Sequence, residues 1–131
     1  MSSSTPAIVL VDDEKSYTDV LCQTLASLVD APVVTFDRPQ AALAALPGLD
    51  VGIIVTDYFM PQMDGVEFLR RALLLKPATP CVMITGHSDA LAEDGRFQIP
   101  ELKEVLAKPF PSRVLAAAIH KHWPLAPVPA S

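Results

Sequence analysis

Val51–Gly65 reads VGIIVTDYFMPQMDG. An apolar run, Val51–Thr56, ends at Asp57 and passes into a stretch punctuated by Met60–Pro61 and Asp64–Gly65. A short apolar run without polar alternation fits a strand buried on both faces. Gly65–Lys76 follows, with Val66, Leu69, Leu73 and Leu74 on one side and Pro77 just beyond, and this pattern predicts a helix. The same alternation extends in both directions. Upstream, Ala7–Val11 (AIVLV) predicts a strand, Ser16–Val29 a helix with Tyr17, Val20, Leu21, Leu25 and Leu28 as its stripe, and Val33–Phe36 a second strand. Asp37 offers an N-cap for a helix through Ala41–Leu46, with Pro39 at an early position. Downstream, Cys81–Thr85 predicts the fourth strand, Val105–Ala107 a short fifth, and Pro111–His122 a last amphipathic helix. Between Gly86 and Lys103 the pattern weakens: Ala90–Glu93 supports one or two helical turns, and Gly95 and Pro100 interrupt anything longer.

Strict alternation of strand and helix implies βαβ crossovers and a parallel sheet covered on both faces. Five strands fit an α/β doubly wound open sheet of order 2-1-3-4-5, in which ligands bind at the carboxyl ends of the strands near the switch between strands 1 and 3. The 131 residues, 50% hydrophobic and 19% charged, make one domain with a sizeable core and argue against disorder. No apolar run is long enough to span a membrane and Met1–Pro6 has no signal-peptide pattern, so a soluble, cytoplasmic protein is expected. The net charge of −5 argues against direct nucleic-acid binding. Cys22 and Cys81 lie in apolar segments and are expected to be buried thiols.

The strand ends carry the chemistry. Asp12, Asp13 and Glu14 follow strand 1, Asp57 follows strand 3, Thr85 and Gly86 follow strand 4, with the glycine expected to give close backbone access, and Lys108 and Pro109 follow strand 5. Singly, each has a plain explanation: Asp12–Glu14 as a helix cap, Asp57 as a turn residue, Thr85 and Lys108 as ordinary strand-end polar groups. Together they would place carboxylates, a hydroxyl and an ammonium on one patch. Clustered carboxylates raise one another's pKa, and a hard divalent cation such as Mg²⁺ relieves the repulsion. A lysine and a hydroxyl opposite such an ion suit a phosphoryl group. The implied chemistry is phosphoryl transfer to a carboxylate, with Asp57 central. His87, His120 and His122 have no zinc-ligand spacing and read as surface residues.

VLVDDE (Val9–Glu14), VTDYFMPQMDG (Val55–Gly65), VMITGH (Val82–His87) and LAKPF (Leu106–Phe110) together resemble the receiver domain of two-component response regulators, over about Ala7 to His122. The resemblance implies a flavodoxin-like receiver fold and a phosphorelay role. It implies Asp57 as phosphoacceptor, Asp13 as a direct Mg²⁺ ligand and Asp12 acting through a bound water. Further oxygens would come from Asp57 and from the backbone carbonyl of Phe59. Lys108 would pair with the phosphoryl group, Thr85 would hydrogen-bond to it after moving inward, and Lys108–Pro109 would be cis. Met60–Pro61 and Asp64–Gly65 would shape the loop after strand 3. The implied partner is a sensor histidine kinase or a histidine phosphotransfer protein, with homodimerisation as an option. The domain would not be an enzyme but a Mg²⁺-dependent acceptor that promotes its own phosphorylation and dephosphorylation.

The sequence also departs from that family. Val105 stands where many receivers carry the aromatic ring that reports phosphorylation, and QIPELK (Gln98–Lys103) replaces the usual small turn. Output is therefore expected through the loop Gly86–Pro100 and the last helix. Residues 1–6 read as a flexible N-terminus, 7–122 as the receiver, and 123–131, with Pro124, Pro127 and Pro129, as a tail or linker stub. The chain is then either a single-domain regulator or the receiver of a longer protein, and Met1 favours an N-terminal position. Three other readings fit worse. An aspartate-nucleophile phosphatase needs a second acid two residues on, where Phe59 stands. A nucleotide- or flavin-binding domain needs glycines after strand 1, where VDDEKS has acids. A receiver fold used for binding alone would not need the complete Asp12, Asp13, Asp57, Thr85 and Lys108 set.

Overall fold

The computed structural model describes residues 6–86 and 98–123. Its strands are β1 (Ala7–Val11), β2 (Val33–Phe36), β3 (Val51–Asp57), β4 (Cys81–Thr85) and β5 (Leu102–Ala107). They form one parallel sheet of order β2-β1-β3-β4-β5, as expected from the alternation. The described helices are α1 (Lys15–Ala26), α2 (Pro39–Ala45), α3 (Gly65–Leu75) and α4 (Ser112–His122), with a 3-10 turn at Leu46–Gly48.

Alternation within the central strands sorts the core into two layers. Val9, Val11, Ile54, Cys81 and Met83 pack with Ala42 of α2 and Phe68, Leu69 and Ala72 of α3. Ile8, Leu10, Ile53, Val55, Val82 and Ile84 pack with Leu21 and Leu25 of α1 and Leu115 and Ile119 of α4. Burial on both faces explains why β1, β3 and β4 are continuous apolar runs. No described helix is long and apolar enough to cross a membrane.

Several local expectations are corrected. Helix α1 stops at Ala26, three residues before Val29: Leu28 and Val29 both donate to the Leu25 carbonyl in a turn, and Leu28 is exposed. The cap position of α2 is Arg38, not Asp37, and no side chain caps it, with Pro39 opening the helix. Strand β5 begins at Leu102 rather than Val105: it is an edge strand, half-buried at best, and its charged Lys103 and Glu104 interrupt the apolar run that marks a strand in the sequence. Cys22 is half-buried rather than buried, while Cys81 is fully buried; both are free thiols. His122 is not a plain surface residue: its Nε2 lies 2.8 Å from Glu104 Oε2 and ties α4 to β5. A Cβ at Gly86 would meet nothing within 4 Å, so close backbone packing among the described residues does not require that glycine. The helical turns expected at Ala90–Glu93, and His87 with them, lie outside the described residues.

Candidate functional site

The site lies on the carboxyl edge of the sheet, where β1, β3, β4 and β5 end side by side. Backbone hydrogen bonds hold those ends in register: Asp12 N–H to the Phe36 carbonyl (3.1 Å), Tyr58 N–H to that of Ile84 (3.1 Å), and Lys108 N–H to that of Thr85 (2.8 Å). Asp12 and Thr85 are wholly buried and Asp57 is nearly so. Asp13 is half-buried and Glu14 exposed. The loop after β3 is built to hold Asp57 at its place. Asp64 caps α3 by accepting from the Glu67 N–H at 2.9 Å. Gly65 donates to the Tyr58 carbonyl at 2.7 Å, and a Cβ there would collide with the Asp57 carbonyl oxygen. Only glycine allows α3 to start this close to the strand end. Met60 is buried beneath the loop, whereas the Phe59 side chain is 60% exposed.

Lys108 organises the charges. Its Nζ lies 2.8 Å from Asp12 Oδ2, and 3.4 Å from both Asp57 Oδ2 and Glu14 Oε1. Asp12 Oδ1 accepts the Glu14 N–H at 3.0 Å, so that carboxylate is held from both sides. Carboxylate oxygens of Asp12, Asp13 and Asp57 come within 4.8 Å of one another. Burial, with the Asp12 charge added, pushes the Asp57 carboxyl up to about 6, against the opposing pull of Lys108 and the Phe59 N–H. Burial and Asp12 likewise raise Asp13. Burial pulls Lys108 down, but its hydrogen bond to Asp12 and the surrounding carboxylates outweigh this and hold the ammonium above the ordinary lysine range. The Lys108–Pro109 peptide is cis.

One ammonium thus faces a larger carboxylate charge than it neutralises, in a site shielded from water. Such a site can take up a cation, and it presents a buried carboxylate and an ammonium to an incoming anion-bearing group. A response regulator receiver domain model matches residues 8–120. The chain belongs to the response regulator receiver domain family. It is a receiver of two-component signalling. Among its relatives, the C4-dicarboxylate transport transcriptional regulatory protein DctD of Rhizobium meliloti is 34% identical over 82% of this chain and 23% of its own length. The receiver protein CpdR of Brucella abortus is 32% identical over 87% of this chain and 93% of its own. The structure of full-length FixJ from B. japonicum superposes with a TM-score of 0.76 at 32% identity, covering 92% of this receiver and 58% of FixJ. The receiver therefore spans a fraction of DctD and FixJ and nearly all of CpdR.

Of the residues singled out from the sequence, the structure brings the side chains of Asp12, Asp13, Asp57 and Lys108 together, while Thr85 is placed beside them through its carbonyl bond to the Lys108 N–H and Phe59 follows two residues after Asp57. Two contacts of Lys108 go beyond the roles that the sequence assigns. Glu14 sits in the acidic run but had no role, although it reaches Lys108. Tyr17 was read as part of the apolar stripe of α1, yet its ring centroid lies 4.4 Å from Lys108 Nζ.

Proposed function

We propose that Asp57 is the phosphoacceptor of a two-component relay, taking its phosphoryl group from a phosphohistidine on a sensor kinase or a phosphotransfer protein. The observation that carries this is the clustering of Asp12, Asp13 and Asp57 oxygens within 4.8 Å, with Lys108 bridging Asp12 and Asp57. An Asp57 carboxylate oxygen forms a bond to phosphorus as the phosphorus–nitrogen bond breaks, and its electron pair stays with the imidazole. With a carboxyl pushed up to about 6, Asp57 is mostly ionised at neutral pH and able to attack. Lys108, already beside Asp57 Oδ2, offsets charge gathering on the phosphoryl oxygens, and the Thr85 hydroxyl supplies a further donor from the adjacent strand end.

The all-oxygen donor set and its surplus of negative charge fit Mg²⁺, with Asp13 and Asp57 as direct ligands, Asp12 acting through water and the Phe59 carbonyl completing the protein oxygens. When bound, the ion supplies charge neutralisation for the transferring phosphoryl group. Phe59 cannot act as an acid or base, which favours a stored phosphoryl group over a hydrolase; slow self-phosphorylation and dephosphorylation belong to the same proposal. The receiver body is assigned to 7–122, a cytoplasmic module followed by a linker, with output through protein contacts of the β4–β5 connection and α4. Val105 is half-buried against the α2–α3 layer and brings no ring to that surface.

Incubation with acetyl phosphate and Mg²⁺ should add the mass of one phosphoryl group to the intact chain. Asp57→Asn or chelation of the metal should abolish the addition. Equal modification of Asp57→Asn would refute the assignment.

A further inference from the structure

Lys108 has a long, flexible side chain and competing anchors. Asp12 holds the ammonium inward at 2.8 Å, while Glu14, whose side chain is 64% exposed, draws it toward solvent at 3.4 Å. A carboxylate anchor occupies an N–H of the ammonium, and each N–H so occupied is withheld from a phosphoryl oxygen. The ring of Tyr17, half-buried on the first turn of α1, meets the same ammonium at 4.4 Å to its centroid. Attraction to a ring face is electrostatic, non-directional among the N–H groups, and strongest where water is excluded. The Lys108 side chain is 15% exposed. A ring in that position fixes where the ammonium sits and leaves its donors free to change partners.

We propose that Tyr17 is a positioning residue for Lys108: its ring keeps the ammonium over the Asp57 carboxylate while the hydrogen bonds to Asp12 and Glu14 are exchanged for bonds to the phosphoryl group. The proposal rests on the reading of Asp57 as phosphoacceptor, and it makes a structural claim that can be tested apart from that reading. The ring, not the hydroxyl, is the active part. Tyr17→Phe should therefore retain the effect and Tyr17→Leu should lose it, although both keep an apolar side chain on α1.

Two measurements on the whole chain decide it. In NMR spectra, the ε-methylene protons of Lys108 should be shifted upfield by the ring current in the wild type and in Tyr17→Phe, and should return to ordinary lysine positions in Tyr17→Leu. With acetyl phosphate and Mg²⁺, Tyr17→Leu should be phosphorylated roughly three- to tenfold more slowly, with Tyr17→Phe close to wild type. In a Lys108→Ala background the Tyr17→Leu change should slow the reaction no further, because Tyr17 acts through the lysine. An unshifted Lys108 methylene in the wild type overturns the proposal. So does equal slowing by Phe and Leu, or an effect of Tyr17→Leu that persists without Lys108. A wild type that accepts no phosphoryl group refutes the Asp57 reading and the rate claim together, while the methylene shift still judges the ring contact on its own.

Discussion

The two ends of β3 are built on opposite principles. At its carboxyl end, Asp57 is buried beside buried Asp12, with Lys108 as shared counter-ion. At its amino end, Gly52 faces the indole of Trp123, the residue just after α4; a Cβ on Gly52 would stand 2.5 Å from the ring. The first end keeps a charge where burial opposes it, and the second gathers apolar surface and omits a side chain to do so. One strand thus carries a destabilising end suited to chemistry and a stabilising apolar end. Trp123 also packs against the core layer of α1 and α4, so the packed body includes one residue that the sequence assigns to the 123–131 tail.

The largest expected effect is at the apolar end. Trp123→Ala should lower the unfolding free energy by about 2–3 kcal/mol, less than a fully buried Trp because the ring is half-buried. An unchanged midpoint in urea would break the comparison. At the other end the sign reverses. Because the Asp57 carboxyl is raised from 3.8 to about 6, the folded chain keeps a proton that the unfolded chain releases between those values. Stability is then lost as pH rises through that window, and the loss is complete above it. Asp57→Asn removes this penalty and should stabilise the chain at pH 7 by about 1–3 kcal/mol. The gain should shrink to nothing below roughly pH 4. A variant less stable than wild type at pH 7 would contradict the account. The smallest effect separates two carboxylates of one loop: Asp64 is a helix cap, so Asp64→Ala should cost about 1 kcal/mol. Opposite signs for Asp57→Asn and Asp64→Ala in the same denaturation series sharpen the contrast.

How much of this was legible in the sequence follows from which forces act locally. The boundaries of β1 and β4 match the apolar runs residue for residue, because a strand buried on both faces leaves no polar position to blur it, and edge strand β2 matches through its β-branched and aromatic residues although Thr35 is exposed. Edge strand β5 was read three residues short, since Lys103 and Glu104 resemble loop when the pairing of Glu104 with Val82 is unseen. The C-terminus of α1 was overextended because Leu28 keeps helical spacing while lying in a turn. At the site, residues directly after apolar runs were found because topology alone brings them together. Tyr17 was not, because its position one turn into α1 gives it a stripe residue's spacing. Its ring meets Lys108 through tertiary packing across 91 positions of chain, which periodicity does not encode.

The central claim is that the phosphoryl group resides on the carboxyl end of β3. Borohydride reduces an acyl phosphate to the corresponding alcohol, so treatment of the chain after reaction with acetyl phosphate and Mg²⁺ should leave homoserine in place of one aspartate. Peptide mass mapping should find that change at residue 57, with Asp12, Asp13 and Asp64 intact. Homoserine at any of those three positions, with Asp57 unaltered in a fully phosphorylated sample, would contradict the account.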